Sequence, residues 1–411
     1  MVESNADQLI ADYGRAAKQA AGGLVKAPGK AVNAAIAGMA ERLGSQRAEI
    51  MAANQQDLAA ADQAGLSGGV RDRLALTDDR IAGMAAQLRL LADVPFPPRD
   101  TPIRELDGGL RLIERRRPVG VIGATYEARP NVTVDVASQL IKSRNAGVLR
   151  TGAAALTSAL ALHRLVITPA LADAGLDPAA IQLVAEGDRE YATALVRQPG
   201  LIPLVIVRGS GDTTRALAAE AARHGVRTLA HADGGGVLYL HPSADLDRAV
   251  RLLETGLDRL GVCNRVNLVL VAAELYDRAL PRLTETLARL GVRASLPPHD
   301  HPLGYEWALD KEREATVTIA KVDSVAEALA IANDQTSAIA ATVVAESPDG
   351  AAEFLDGYVG TGAFWNATTR LLDGFRLLQV PETGINVDRF PGPRGPVTFH
   401  DLYLRQYVVM P

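Results

Sequence analysis

Apolar positions recur at helical spacing from Asn5 to about Leu91, in a stretch rich in Ala, Leu, Gln, Arg and Glu, and predict a run of helices. Asp78 or Asp79 is placed to cap a helix beginning near Ile81. Pro95, Pro97, Pro98 and Pro102 end this regime. Two alternating segments in residues 103–114 then flank Asp107-Gly108-Gly109, a hairpin signal. Their charged residues suit an edge strand or an arm laid on another subunit. From Pro118 short apolar strands at 119–124, 146–150, 181–184 and 204–207 alternate with helical stretches at 132–143 and 155–174. Such alternation predicts a parallel sheet covered on both faces. A second α/β unit starts near Gly235, with strands at 236–240, 266–271, 316–320 and 341–344 and helices at 245–260 and 324–333. A Pro- and Gly-rich run, Pro391 to Pro396, precedes a last strand at 403–409, suited to pair with the hairpin. There is no internal repeat and no low-complexity tract.

At 411 residues the chain holds about two or three domains. A net charge of −5 argues against a general nucleic-acid binder, and 4% aromatic residues argue against a stacking platform for single strands. No apolar run approaches a membrane span, so no membrane partner is expected. Residues 1–7 lack the basic-then-apolar pattern of a secretory signal. With a single cysteine, this points to the cytoplasm.

That cysteine, Cys263, lies in Gly261-Val262-Cys263-Asn264-Arg265, where a helix hands over to a strand. It is either an inert buried thiol or a nucleophile. Backbone amides and a nearby cation there would favour thiolate. Arg208-Gly209-Ser210-Gly211-Asp212-Thr213-Thr214 follows a strand and opens a helix. It is a tight turn or a phosphate cradle at a helix N-terminus. Ligands gather at such carboxyl-end turns of a parallel sheet.

The stretch from Arg117-Pro118-Val119-Gly120 through Tyr126-Glu127-Ala128-Arg129-Pro130-Asn131-Val132 resembles the signature of the gamma-glutamyl phosphate reductase (glutamate-5-semialdehyde dehydrogenase) family, a branch of the aldehyde dehydrogenase superfamily. Lys142-Ser143-Arg144-Asn145 with Leu149-Arg150, His231-Ala232-Asp233-Gly234, Cys263-Asn264, Asn366-Ala367-Thr368-Thr369-Arg370 and Arg394-Gly395-Pro396 match that family in order. The resemblance covers nearly the whole chain.

It implies an aldehyde-dehydrogenase-like α/β fold, with a Rossmann-type cofactor domain, an α/β catalytic domain and a β-hairpin/C-terminal oligomerisation arm. The cofactor domain is expected at residues 1–102, 118–234 and 349–388, the catalytic domain at 235–348, and the arm at 103–117 and 389–411. Cys263 would attack an amino-acid acyl phosphate, and NADPH would reduce the resulting thioester. Asn131 matches the superfamily asparagine that holds the oxyanion, and its bland alternative is a turn residue after Pro130. Arg150 lies where a basic residue meets the cofactor ribose, and is otherwise a strand-end charge. Gly209, Ser210, Gly211 and Thr213 fall at the cofactor-phosphate turn. Arg129, His231, Asn264, Asn267 and Asn366 are candidate substrate contacts. His231 and Asp233 serve proton transfer or structure. Hydrolytic relatives carry a glutamate near 231–235, and this chain has none there.

The chain departs from the family pattern at Val207, at Ser210, at the Gly-Gly-Val of 235–237, and at Asn267, where a glutamate is usual. Residues 375–386 replace a longer glycine-rich element. These departures are expected to shape the substrate and nicotinamide pockets, leaving open a close analogue of gamma-glutamyl phosphate. A coenzyme A thioester as acyl donor and a catalytically inactive scaffold are the alternatives. An upstream kinase and further copies of the chain are the expected partners, with no metal.

Overall fold

The computed structural model describes residues 4–231, 234–310, 312–387 and 394–411. Five helices come first: Asn5–Lys26, Gly29–Ser45, Arg47–Gln63, Gly68–Leu74 and Asp78–Asp93. Ser4, Ser67 and Thr77 cap three of them, each hydroxyl accepting a backbone N–H three residues on. The last helix starts at Asp78 rather than near Ile81. Thr77 Oγ1, not Asp78 or Asp79, accepts its first free amide, from Arg80 at 3.2 Å. The two aspartates instead lie in the first turn, where their charge suits the helix dipole.

The hairpin forms as β1 (Asp100–Glu105) and β2 (Arg111–Pro118). Five parallel strands follow: β3 (Val121–Tyr126), β4 (Ala146–Thr151), β5 (Ile181–Leu183), β6 (Leu204–Arg208) and β7 (Arg227–His231), in the order β5-β4-β3-β6-β7. The first four were legible as apolar runs. β7, Arg-Thr-Leu-Ala-His, was missed because polar ends dilute its pattern. The N-terminal helices pack on this sheet in one continuous core that includes Ile36, Met39, Leu140 and Val148.

The second sheet holds β8 (Gly236–Leu240), β9 (Val266–Ala272), β10 (Arg293–Ser295), β11 (Thr316–Val322), β12 (Ala340–Val344) and β13 (Gly362–Trp365), ordered β10-β11-β9-β8-β12-β13 and parallel throughout. Alternate residues of β8 and β9 enter opposite cores: Val237, Tyr239, Leu268 and Leu270 on one face, and Leu238, Leu240, Val269 and Val271 on the other. The expected return to the cofactor domain at 349 is corrected here. Helix Pro348–Gly357 and β13 belong to this second sheet. The chain returns to the first sheet later, when Arg208 Nη1 donates to Thr383 O at 3.0 Å just before β14 (Gly384–Asn386). β14 pairs with β15 (Gly395–Val397), and β16 (Tyr403–Met410) pairs antiparallel along β2.

The stretch Ala153–Asp173 corrects the expectation that no segment approaches a membrane span, since it has the length and apolar character of one. Half of it is buried inside the fold, against helices Gly29–Ser45, Arg47–Gln63 and Pro130–Lys142, which is the condition of a core helix.

Candidate active site

In the first sheet the strand order reverses between β3 and β6, so their carboxyl ends open a crevice. β3 leads into Glu127-Ala128-Arg129-Pro130-Asn131, and β6 leads into Gly209-Ser210. Ala128 takes a positive φ of 47°, a strained setting for a residue with a Cβ. Proline then starts the helix Pro130–Lys142. The amino ends of β8 and β9 close the crevice from the second sheet. Gly234 packs so tightly on the Cys263 loop that a Cβ would stand 2.6 Å from Cys263 O. Gly235 N donates to that oxygen at 2.7 Å. No larger residue fits at Gly234, which explains its place beside the thiol.

Two cavities meet at Cys263. One, about 450 Å³, is lined by Glu127, Arg150, Gly187, Arg189, Gly209 and Ser210 on the first-sheet side and reaches Cys263 and Glu306. The other, about 250 Å³, holds Asn131, Asp135, Arg259, Asp373 and Glu382 around the same thiol. Arg73, Arg129 and Arg208 line both. Arg73 and Arg129 have no ion pair or hydrogen-bonded acceptor for their side chains among the described residues. Burial and the facing guanidiniums of Arg208 and Arg73 push Arg129 down, to about 9, still charged at neutral pH. Glu314, Glu306 and Asp72 act on Arg73 without bonding to it, so both guanidiniums keep donors free for an anion.

Burial pushes the Cys263 thiol above its ordinary value; Arg129 and Arg208 pull it down, while Glu382 and Glu306 push it further up. The cation acting on the thiol is therefore not its sequence neighbour. Arg265 is 1% exposed and donates to Glu314 O at 2.6 Å and Thr316 O at 3.2 Å, tying the loop to β11.

Asn131 Nδ2 donates to Asp135 Oδ2 at 2.9 Å, and its second N–H remains available. The other asparagines are committed elsewhere. Asn264 lines the smaller cavity, but its amide donates to Leu372 O at 2.9 Å and its oxygen accepts from Arg370, fastening the nucleophile loop. Asn267 joins neither cavity. Its amide donates to Tyr305 O at 2.8 Å and its oxygen accepts from Trp307 N at 3.1 Å. A glutamate could not make that donor–acceptor pair, so this departure holds the Glu306 loop and shapes neither cavity directly. Asn366, at φ 52°, bonds both ways with the backbone of Ala345, away from the cavities. β7 ends at His231. The His231 side chain and Asp233 lie outside the described residues.

On the cofactor side, Gly209 and Ser210 line the larger cavity, Thr213 lines an adjoining one with Arg150 and Arg189, and Gly211 lines neither. Ser210 caps helix Gly211–Arg223 with no side-chain hydrogen bond, its hydroxyl donating instead to Thr213 Oγ1 at 3.0 Å. The helix N-terminus is thus left for an anion. Arg150 is 2% exposed and gives Nη2 to Gly187 O at 2.5 Å and Asp188 O at 2.8 Å, while its Nε has no partner. Arg189, exposed and without an ion pair among the described residues, stands at the same cavity and was not singled out in the sequence. A free helix end, an orphaned guanidinium nitrogen and a second free cation fit a dinucleotide phosphate chain. Among the described residues no group of metal-ligating side chains is present.

Sequence reading did not single out Arg73, Asp135 or Glu306, and reached Glu382 only within the departing segment 375–386; all four come to the thiol through the fold. Glu306 arrives from the loop before β11, with Oε1 2.8 Å from where a Gly234 Cβ would stand. The spot where hydrolytic relatives place a glutamate thus faces a carboxylate from another element.

A sequence profile of the aldehyde dehydrogenase family matches residues 5–302. The chain is 35% identical to a gamma-glutamyl phosphate reductase of Gluconobacter oxydans, over 99% of this chain and 96% of that protein. Among solved structures, gamma-glutamyl phosphate reductase from Thermotoga maritima superimposes with a TM-score of 0.86 at 28% identity, covering 98% of each chain. An acetylating aldehyde dehydrogenase from Geobacillus thermoglucosidasius shares the fold, with a TM-score of 0.73 at 15% identity, over 99% of this chain and 97% of that one. The chain belongs to the aldehyde dehydrogenase family and, within it, to the gamma-glutamyl phosphate reductases.

Proposed function

We propose that the chain reduces gamma-glutamyl phosphate to glutamate semialdehyde, with NADPH as reductant and a thioester on Cys263 as intermediate. Family membership implies a nicotinamide cofactor. The observation that carries the substrate reading is the pair of guanidiniums, Arg73 and Arg129, that line both cavities beside the only thiol in the chain with no hydrogen-bonded acceptor among the described residues. They fit the phosphoryl group of an acyl phosphate, and Arg129 also favours the thiolate.

In the proposed reaction the Cys263 thiolate attacks the acyl carbon. A C–S bond forms, the C–O bond to phosphate breaks, and phosphate leaves toward Arg73 and Arg129. The free N–H of Asn131, with the Cys263 main-chain amide, holds the carbonyl oxygen as it gains charge. A nicotinamide held in the larger cavity would supply a hydride to that carbon. The tetrahedral alkoxide then collapses, the C–S bond breaks, and the aldehyde leaves with the thiolate restored. Gly209, Ser210, Arg150, Thr213 and Arg189 would hold the cofactor phosphates, Arg150 Nε and Arg189 serving a 2′-phosphate. Gly211 would contribute through the amide end of its helix.

A nucleophilic thiol needs a reducing compartment, which accords with the cytoplasm. Ile103, Leu404, Tyr407 and Val409 are exposed on the β1-β2-β16 sheet and suit an arm between copies of the chain. The acyl phosphate hydrolyses readily, so a carboxylate kinase that delivers it directly is the expected partner. The test is the reverse reaction. Glutamate semialdehyde should reduce NADP in strict dependence on inorganic phosphate, and not at all with Cys263→Ser. Dependence on coenzyme A in place of phosphate would overturn the proposal.

A further inference from the structure

We propose that the carboxylates of Asp135 and Glu382 grip the α-ammonium of the substrate and keep it protonated, so that the thioester on Cys263 is reduced before its own amine can attack it. This rests on the acyl-phosphate reading above and adds a residue-level reason for selectivity.

The smaller cavity is electrically divided around the thiol. The groups acting on Arg129 are Arg208, Arg73, Arg259 and Cys263 itself. Those acting on Asp135 and Glu382 are Arg208, Asp373 and each other's neighbourhood, with Asn131 on Asp135 and Gly374 N on Glu382. Neither carboxylate has an ion pair among the described residues, and Arg208, the one cation acting on both, already gives Nη1 to Thr383 O. Asp373 is committed to capping: its Oδ1 accepts from Phe375 N and Arg376 N, both at 3.1 Å. Asp135 and Glu382 each accept one protein hydrogen bond, from Asn131 and Gly374, on one oxygen. The second oxygen of each is left for a donor. Burial raises both, to about 7, as expected of carboxyls short of positive charge. An arriving ammonium supplies that charge. Asp135 is also hydrogen-bonded to the amide proposed to hold the acyl oxygen, so the ammonium would sit within one residue of the thioester.

That proximity is chemically dangerous. In a gamma-glutamyl thioester the α-nitrogen reaches the acyl carbon through a five-membered ring, and such closures have very high effective molarity. A neutral amine would form the C–N bond, break the C–S bond, expel the Cys263 thiolate and release its proton to solvent, giving pyroglutamate with no redox change. Protonation of the nitrogen blocks this, because an ammonium has no lone pair to attack with. A carboxylate pair that stabilises the ammonium lowers the reactive fraction, about tenfold for each unit by which the amine's pKa rises.

The test uses the full chain with gamma-glutamyl phosphate generated continuously by a glutamate-phosphorylating kinase and ATP. Pyroglutamate, glutamate and semialdehyde are measured, and spontaneous cyclisation is subtracted with Cys263→Ser. Without nicotinamide, the wild type should release one equivalent of phosphate and then stall. Asp135→Asn and Glu382→Gln, which keep an acceptor for Asn131 and Gly374, should continue to release phosphate and form pyroglutamate. With NADPH, their ratio of pyroglutamate to semialdehyde should rise about tenfold. Because this is a ratio, it does not depend on how much variant folds. An unchanged ratio in both variants, or extra product that is glutamate from hydrolysis, would overturn the proposal. A wild type that makes no semialdehyde and releases no phosphate defeats the acyl-phosphate reading itself, a result the ratio cannot mimic.

Discussion

The two cavities that share Cys263 differ in how much of their lining one sheet supplies. One wall of the larger comes from the ends of β3, β4 and β6, strands of one sheet whose turns lie where a parallel sheet gathers ligands, and Val70, Arg73, Cys263 and Glu306 face that wall from elsewhere. The smaller draws Arg73 and Gln87 from N-terminal helices, Asn131 and Asp135 from the helix after β3, Cys263 from the second sheet and Glu382 from the returning tail. The first-sheet wall follows from local topology, whereas the rest of the lining around the thiol meets only once distant segments have packed. The same contrast separates two cations. Arg265, two residues from the thiol, is buried against carbonyls, whereas Arg129, in the loop after β3 of the other sheet, acts on the sulfur. Nearness in the chain says little about which charge a buried group feels.

Substitutions on the two sides should therefore separate in their kinetics. The largest effect short of losing the thiol is expected at Asn131. Asn131→Ala should lower kcat by about 10²–10³-fold with little change in KM for NADPH, as for loss of one oxyanion donor. A change confined to KM would return Asn131 to the role of a turn residue. Arg129→Gln comes next. It should raise KM for the acyl phosphate and slow alkylation of Cys263, because the thiol loses the cation that most lowers its pKa. Alkylation rate against pH reads this directly, and the curve should move to higher pH. On the cofactor side, Arg189→Ala should raise KM for NADPH by about tenfold, the loss of one charge-assisted contact, and leave KM for NADH unchanged. Equal effects on both cofactors would remove Arg189 from the 2′-phosphate.

The smallest effect concerns stability. The folded-state pKa values of Asp135 and Glu382 are raised, to about 7, so the folded protein holds their protons more tightly than the unfolded chain. Their contribution is fully present below the ordinary carboxyl range and is lost as pH rises through about 7. Tm of the ligand-free protein should fall by a few degrees across that window. Asp135→Asn or Glu382→Gln should flatten the slope, and a slope of opposite sign in the wild type would contradict the assignment.

How much of this was legible follows the same division. Strands β3, β4, β6, β8 and β9 announced themselves as apolar runs because both faces of each sheet are covered. β13 was missed, and with it the true extent of the second sheet, because Gly362–Trp365 is a short edge strand with partly exposed residues. Arg129 could be singled out by motif. Asp135, one helical turn beyond Asn131, could have been found by the i, i+4 spacing that lets the two side chains meet. Asn267 and Asn366 looked functional because polar residues near motifs draw attention, yet both satisfy buried backbone groups. Glu382 was reached only as one member of the departing segment 375–386, five of whose residues line the smaller cavity, and Arg73 carried no local signal.

Intact-mass analysis of the wild-type chain, given freshly generated gamma-glutamyl phosphate without nicotinamide, reaches the covalent step most directly. One glutamyl group should add to the protein, map to Cys263, and disappear on addition of NADPH as semialdehyde forms. A protein that turns over the acyl phosphate with no adduct, or carries the adduct on any other side chain, would contradict a thioester route.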